Sequence, residues 1–75
     1  NKILDAHKKR GVYRSELSNW QGAIEDFTTM LEIEPRAFVA YKFRGITYFN
    51  TDQYSKAKSD FTKYLESDTT DIETY

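Results

Sequence analysis

Few side chains in this sequence could carry out chemistry. There is one histidine and no cysteine. Asp5 stands two places before His7, a pairing that a general base would use, but residues two apart on a helix point to different sides. His7 is therefore read as filling a place between helices. The carboxylates Glu25, Asp26, Glu32, Glu34 and Asp60 lack metal-ligand spacing, and solvated helix faces account for most of them. The glycines, Gly11, Gly22 and Gly45, each fall inside a helical pattern, so there is no glycine-rich phosphate loop. Lys8, Lys9 and Arg10 form a short basic run beside Arg14. A phosphate or acidic-peptide contact is the sharp reading of that run, and a solvated helix face is the preferred one. No catalytic residue, metal or cofactor is implied, and the chain is not read as an enzyme.

Two arginines are more informative. Arg10 and Arg44 are each followed sixteen residues later by an aspartate, Asp26 and Asp60. If each segment folds into an antiparallel helical hairpin, such positions come close. A partly buried guanidinium without a carboxylate is costly, so each arginine is expected to pair with its aspartate within about 4 Å. The alternative is two snorkelling arginines with hydrated heads.

The elements that would place these pairs emerge from an internal repeat. Shifted by 34 residues, the chain matches itself at Ala6/Ala40, Lys8/Lys42, Arg10/Arg44, Gly11/Gly45 and Ala23/Ala57, and again at Asp26/Asp60, Phe27/Phe61, Thr28/Thr62, Leu31/Leu65 and Glu32/Glu66. Conservative matches add Val12 over Ile46 and Trp20 over Tyr54. Each copy contains two helical patterns with apolar side chains at three- and four-residue spacing. The first helices are predicted over 4–17 and 38–50, and the second over 20–34 and 54–67. Ser18-Asn19 and Thr51-Asp52 supply polar turns that can cap the helix after them. Pro35 ends the first copy, because it has no amide hydrogen and restricts the residue before it. Ala23, Ile24, Phe27, Met30 and Leu31, then Ala57, Phe61, Tyr64 and Leu65, share one face of the second helices and predict the core. No alternation at period two competes, so the class is all-α.

With period, turns and residues in place, the chain resembles the tetratricopeptide repeat, a 34-residue helix-turn-helix unit with the pattern W-x₂-L-G-x₂-Y…A-x₃-F…P. Tyr41, Gly45, Tyr48, Ala57 and Phe61 fit it in the second copy, and Gly11, Ala23, Phe27 and Pro35 in the first. The first copy departs at His7 and Arg14, where aromatics are usual. Both copies carry arginine where leucine is commonest. Gly11, Gly45, Ala23 and Ala57 occupy places where helices approach too closely for larger side chains. The wording "KRGVY" and "NWQGAIEDF" looks most like bacterial arrays of this family.

The resemblance implies two hairpins in a short right-handed superhelical stack, an α-solenoid. Repeat one covers about 4–37, repeat two about 38–71, and a third first helix begins at 72–75. It implies a protein-protein interaction scaffold, in which the first helices line a concave peptide-binding groove. The groove places here are Asp5, Lys8, Val12 and Ser15, then Val39, Lys42, Ile46, Phe49 and Asn50. Family members that clamp a C-terminal carboxylate use a lysine and two asparagines. Lys8 matches the lysine, but Val12 and Phe43 replace the asparagines, so an apolar or amphipathic peptide is the expected ligand. Alternatives are a structural spacer or self-assembly segment, or an accessory domain of a larger enzyme.

Composition bounds these readings. The chain has 75 residues, with 11 basic and 12 acidic side chains and a formal net charge of −1. No face is built to neutralise phosphates, so nucleic acid is not an expected partner. No apolar stretch approaches the length of a membrane span. The compartment stays open. Six tyrosines, five phenylalanines and one tryptophan are read mainly as packing between helices. Two units are fewer than a repeat stack normally needs, so the face bearing Phe61, Tyr64 and Leu65 is expected to be open and to favour self-association.

Overall fold

A computed structural model describes the backbone of residues 2–73 and the side chains of residues 2–67. It contains four helices, α1 (Lys2–Glu16), α2 (Trp20–Ile33), α3 (Phe38–Asn50) and α4 (Tyr54–Glu73), and no strand among the described residues. Short turns join α1 to α2 and α3 to α4, which makes each pair an antiparallel hairpin. The hairpins meet along α2 and α3, and α1 touches α3 as well.

The turns repeat with the sequence. Ser18 and Asp52, 34 residues apart, both adopt the left-handed backbone, with φ of 62° and 63°. Asn19 then caps α2, its side chain accepting from the Gly22 amide at 3.2 Å. In the second turn the cap differs. Asp52 instead accepts from the Tyr54 hydroxyl at 2.8 Å, and Gln53 donates to the Thr51 hydroxyl at the same distance. At the hairpin boundary α2 stops at Ile33, Glu34 is extended before Pro35, and α3 starts after Ala37 without a side-chain cap.

One helix boundary departs from expectation. α4 was expected to stop at Ser67 but continues to Glu73. The stretch after Ser67 is polar but holds neither glycine nor proline, so nothing in it forces the backbone out of the helix. Helix α4 thus runs through residues 72 and 73, where a third first helix was expected to begin. Residues 74 and 75 lie outside the described residues.

The core lies between α2 and its neighbours. Ala23, Phe27, Met30 and Ala40 are buried together, with Leu4, Val12, Leu31 and Phe43 packed around them. Phe27 and Phe43 stack at 5.7 Å. Burying Phe27 contributes about 2–3 kcal/mol, a large share for a chain of this size. Close helix approach explains the glycines. A Cβ on Gly11 would lie 2.6 Å from the Phe27 ring, and one on Gly45 would lie 2.9 Å from the Phe61 ring.

The repeat symmetry of the core is incomplete. Ala57 is buried, as expected, and Phe61 and Tyr64 are half-buried. Leu65, expected in the core, is 58% exposed, whereas its counterpart Leu31 is partly buried against the cluster of Ala23, Phe27, Met30 and Ala40. Tyr64 turns toward α3, where the Lys42 ammonium sits 5.8 Å above its ring. Aromatics are not all packing either, since Tyr13, Phe38, Phe49 and Tyr54 are exposed.

Candidate functional site

Both expected ion pairs form, in unequal settings. Arg10 grips Asp26 through Nε, at 3.1 Å to each carboxylate oxygen, and through Nη2 at 2.7 Å. Arg14 adds an ion pair to Asp26 at 3.4 Å and donates to the Gly22 carbonyl at 3.3 Å. Asp26 is buried, but the Arg10 side chain is 55% exposed, so one end of this pair stands in water. The basic run and Arg14 therefore do not act together on the surface, because Arg10 and Arg14 both serve Asp26.

The second pair is drier. Arg44 Nε and Nη2 each donate to Asp60 at 2.8 Å, and Nη1 donates to the Thr28 hydroxyl at 3.2 Å. Only 18% of the Arg44 side chain is exposed. Its guanidinium lies between the Tyr41 and Tyr48 rings, at 5.6 and 5.7 Å, and Lys63 and Lys56 lie over the same two rings. The hydrogen bonds to Asp60 hold the Arg44 pKa above its ordinary value, against the opposing effect of burial. Each such cation–ring contact adds about 0.5–1 kcal/mol. These groups fasten α3 to α4 and, through Thr28, one hairpin to the other.

No other chemistry gathers. His7 donates from Nδ1 to the Ile3 carbonyl at 2.9 Å, within its own helix, and lines a shallow hollow with Ala6 and Arg10. No cluster of three or more metal-ligating side chains occurs among the described residues. None of the described helices is long and apolar enough to cross a membrane.

The residues expected to line a groove fall into two stripes, one on α1 and one on α3. On α3, Val39, Ile46 and Phe49 are exposed at 36%, 40% and 56%, beside exposed Lys42 and Asn50. Helical spacing puts Val39, Lys42, Ile46 and Phe49 on one side of that helix. Phe49 also packs edge-on against Tyr54 at 5.3 Å, which draws it toward the end of the molecule.

The α1 stripe is less available. Val12 is half-buried against the core. The Ser15 hydroxyl donates to the Val12 carbonyl at 2.7 Å. Asp5 is flanked by Lys9 at 3.1 Å and Lys8 at 4.0 Å, and the Lys9 hydrogen bond holds its carboxyl below the usual range. Lys8 is half-buried beside Val12 in a hollow of about 320 Å³ that also includes Tyr13 and Glu16. Sequence reading missed the Arg14 contact, the Thr28 bond and the cation–ring ladder. Thr28 could have been singled out, since it recurs as Thr62.

No family model matches the chain, and no solved structure matches it. Among curated proteins the chain is similar to DnaJ homolog subfamily C member 7 of Homo sapiens, 33% identical over 61 residues. The protein of the same name from Mus musculus is 31% identical over the same length. Each match takes in 81% of this chain and 12% of the relative, so the chain spans about an eighth of the length of these relatives.

Proposed function

We propose that this chain is a protein-interaction module of the tetratricopeptide-repeat type, which receives a peptide or partner protein on the layer formed by its first helices. The observation that carries the reading is the exposed stripe of Val39, Ile46 and Phe49 beside Lys42, in a chain whose mean hydropathy is −0.77. So polar a chain has little reason to leave a row of large apolar side chains in water unless something covers it. The buried carboxylates Asp26 and Asp60 are both occupied in fastening one helix to another, and Thr47 bonds a carbonyl of its own helix, which supports a scaffold reading. Two repeats of 34 residues and the distant similarity to a DnaJ homolog fit the same reading. An apolar or amphipathic peptide is the ligand chemistry it favours.

The test is a display selection of random peptides on the intact chain, followed by affinity measurement with Ile46→Lys and Val39→Lys. Selected peptides are expected to be rich in apolar residues and to lose about tenfold or more in affinity with either variant, while the helical circular dichroism stays unchanged. Peptides that bind both variants as tightly as the original chain, or no enrichment at all, would overturn it.

A further inference from the structure

The charges of this molecule are sorted by helix. α2 carries Glu25, Asp26 and Glu32 and no lysine or arginine, whereas α3 carries Lys42 and Arg44 and no carboxylate. Asp26 is buried and held by Arg10 and Arg14, which leaves Glu25 and Glu32 as the exposed charges of α2. They stand seven residues apart on the side away from the core, roughly 10 Å along one helix face. No ion pair joins either to a described cation, and Glu25 has a 3.5 Å contact from Gln21 of its own helix.

α4 carries the complement. Lys56 and Lys63 are exposed, also seven residues apart, and no ion pair joins them to a described carboxylate. Both heads are already placed, Lys56 at 5.6 Å over the Tyr48 ring and Lys63 at 5.8 Å over the Tyr41 ring. A lysine parked on a ring loses less freedom when a carboxylate arrives, so the row is preorganised for acids. The fold does not require it. At the matching places the first hairpin has Gly22 and Thr29 for the lysines and His7 and Arg14 for the tyrosines.

A purely acidic partner would answer Lys56 and Lys63 and be repelled by Glu25 and Glu32. A second copy answers both rows. α2 and α4 are the second helices of consecutive hairpins and run in the same direction, with α3 between them. A two-fold axis along that direction sets α2 of each copy beside α4 of the other, and the equal spacing brings both acids to both lysines.

We propose that two copies of this chain associate through their second helices, with Glu25 against the partner's Lys56 and Glu32 against the partner's Lys63, twice over. Exposed charge pairs confer register and salt dependence more than tightness, so the dimer forms at high concentration and low salt. The surface is separate from the α1 and α3 stripes. Helical spacing also puts Leu65 on the other side of α4 from both lysines.

Sedimentation equilibrium of the intact chain at low salt, up to about 1 mM, is expected to show monomer and dimer and no larger species. Raising the salt to roughly 0.5 M should weaken the dimer about tenfold. Glu25→Lys with Glu32→Lys, and Lys56→Glu with Lys63→Glu, should each be monomeric with unchanged helical circular dichroism. Mixing these two double variants should restore the dimer, because every pair is then opposite in sign. Followed through a label, the lysine-reversed variant should ignore Glu16→Lys with Glu34→Lys, which carries the same net charge change elsewhere. Leu65→Lys should leave the dimer intact. A monomer at every concentration, a mass that keeps growing, loss of the dimer with Leu65→Lys, or a labelled variant that joins both partners equally would each overturn the proposal.

Discussion

Replacing Asp60 by asparagine removes one negative charge at almost constant shape. Arg44 then keeps a single good acceptor at that place, and its own charge loses the carboxylate that lay 2.8 Å from both Nε and Nη2. A hydrogen bond to a charged group contributes about 1.5–3 kcal/mol net, and breaking a buried pair from one side costs about 3–5 kcal/mol. Arg44 retains 18% exposure, and the Tyr41 and Tyr48 rings still face its guanidinium, so part of the cost is relieved. We expect a loss of about 2–3 kcal/mol. A core this small rarely supplies more than about 3–5 kcal/mol, so the variant should sit close to its unfolding midpoint in plain buffer. Urea denaturation followed by helical circular dichroism reads the loss as a midpoint lower by about 2 M, taking a slope near 1 kcal/mol/M. Asp26→Asn should lose less, because Arg10 is already half in water and can complete its hydration. Introducing Arg44→Met into Asp60→Asn should cost little more, since the charge left unpaired is then gone. A midpoint for Asp60→Asn within about 0.5 M of the original, or a larger loss for Asp26→Asn, would refute the assignment of Arg44 as the drier and stronger of the two pairs.

Gly11→Ala places a methyl group against the buried Phe27 ring, and the overpacking should outweigh the gain in helix propensity by about 1–2 kcal/mol in thermal or urea unfolding. Ser18→Gly removes a side chain from a left-handed position and should raise stability by about 0.5 kcal/mol, the balance of relieved strain against a freer unfolded chain. Tyr54 donates its hydroxyl to Asp52, which raises its pKa. In an alkaline absorbance titration Tyr54 should ionise at higher pH than it does in Asp52→Asn. The sign follows from the raised folded pKa: this contact contributes fully below the ordinary tyrosine pKa and is lost as pH climbs through the higher folded one.

The hairpins and their ion pairs were legible because two independent regularities coincide in them. Arg10 and Arg44 recur at the 34-residue period, and each has an aspartate at the distance that a hairpin brings together. Arg14 has no such support, since the second copy has Tyr48 in its place, yet the hairpin turns it onto the same carboxylate as Arg10. Thr28 was visible only as a repeated letter, because its role depends on a guanidinium from the other hairpin. The end of α4 was misread because polarity alone does not stop a helix. Leu65 has the spacing of a core residue, but spacing cannot tell whether a neighbour covers it. Ser15 has the spacing of a groove position, and spacing does not disclose that its hydroxyl bonds a carbonyl of its own turn.

Phe27 belongs to both hairpins at once. One edge of its ring fills the gap left by Gly11 on α1, and one face lies against Phe43 on α3. Neither hairpin can open alone without wetting that ring, so the free energy of the interface is not a separate quantity from that of the first unit. In the language of nearest-neighbour repeat models, the coupling between units is comparable to the stability of a unit. Hydrogen exchange should then find the slowest amides of α2 and α3 opening with one common free energy, as a single cooperative block.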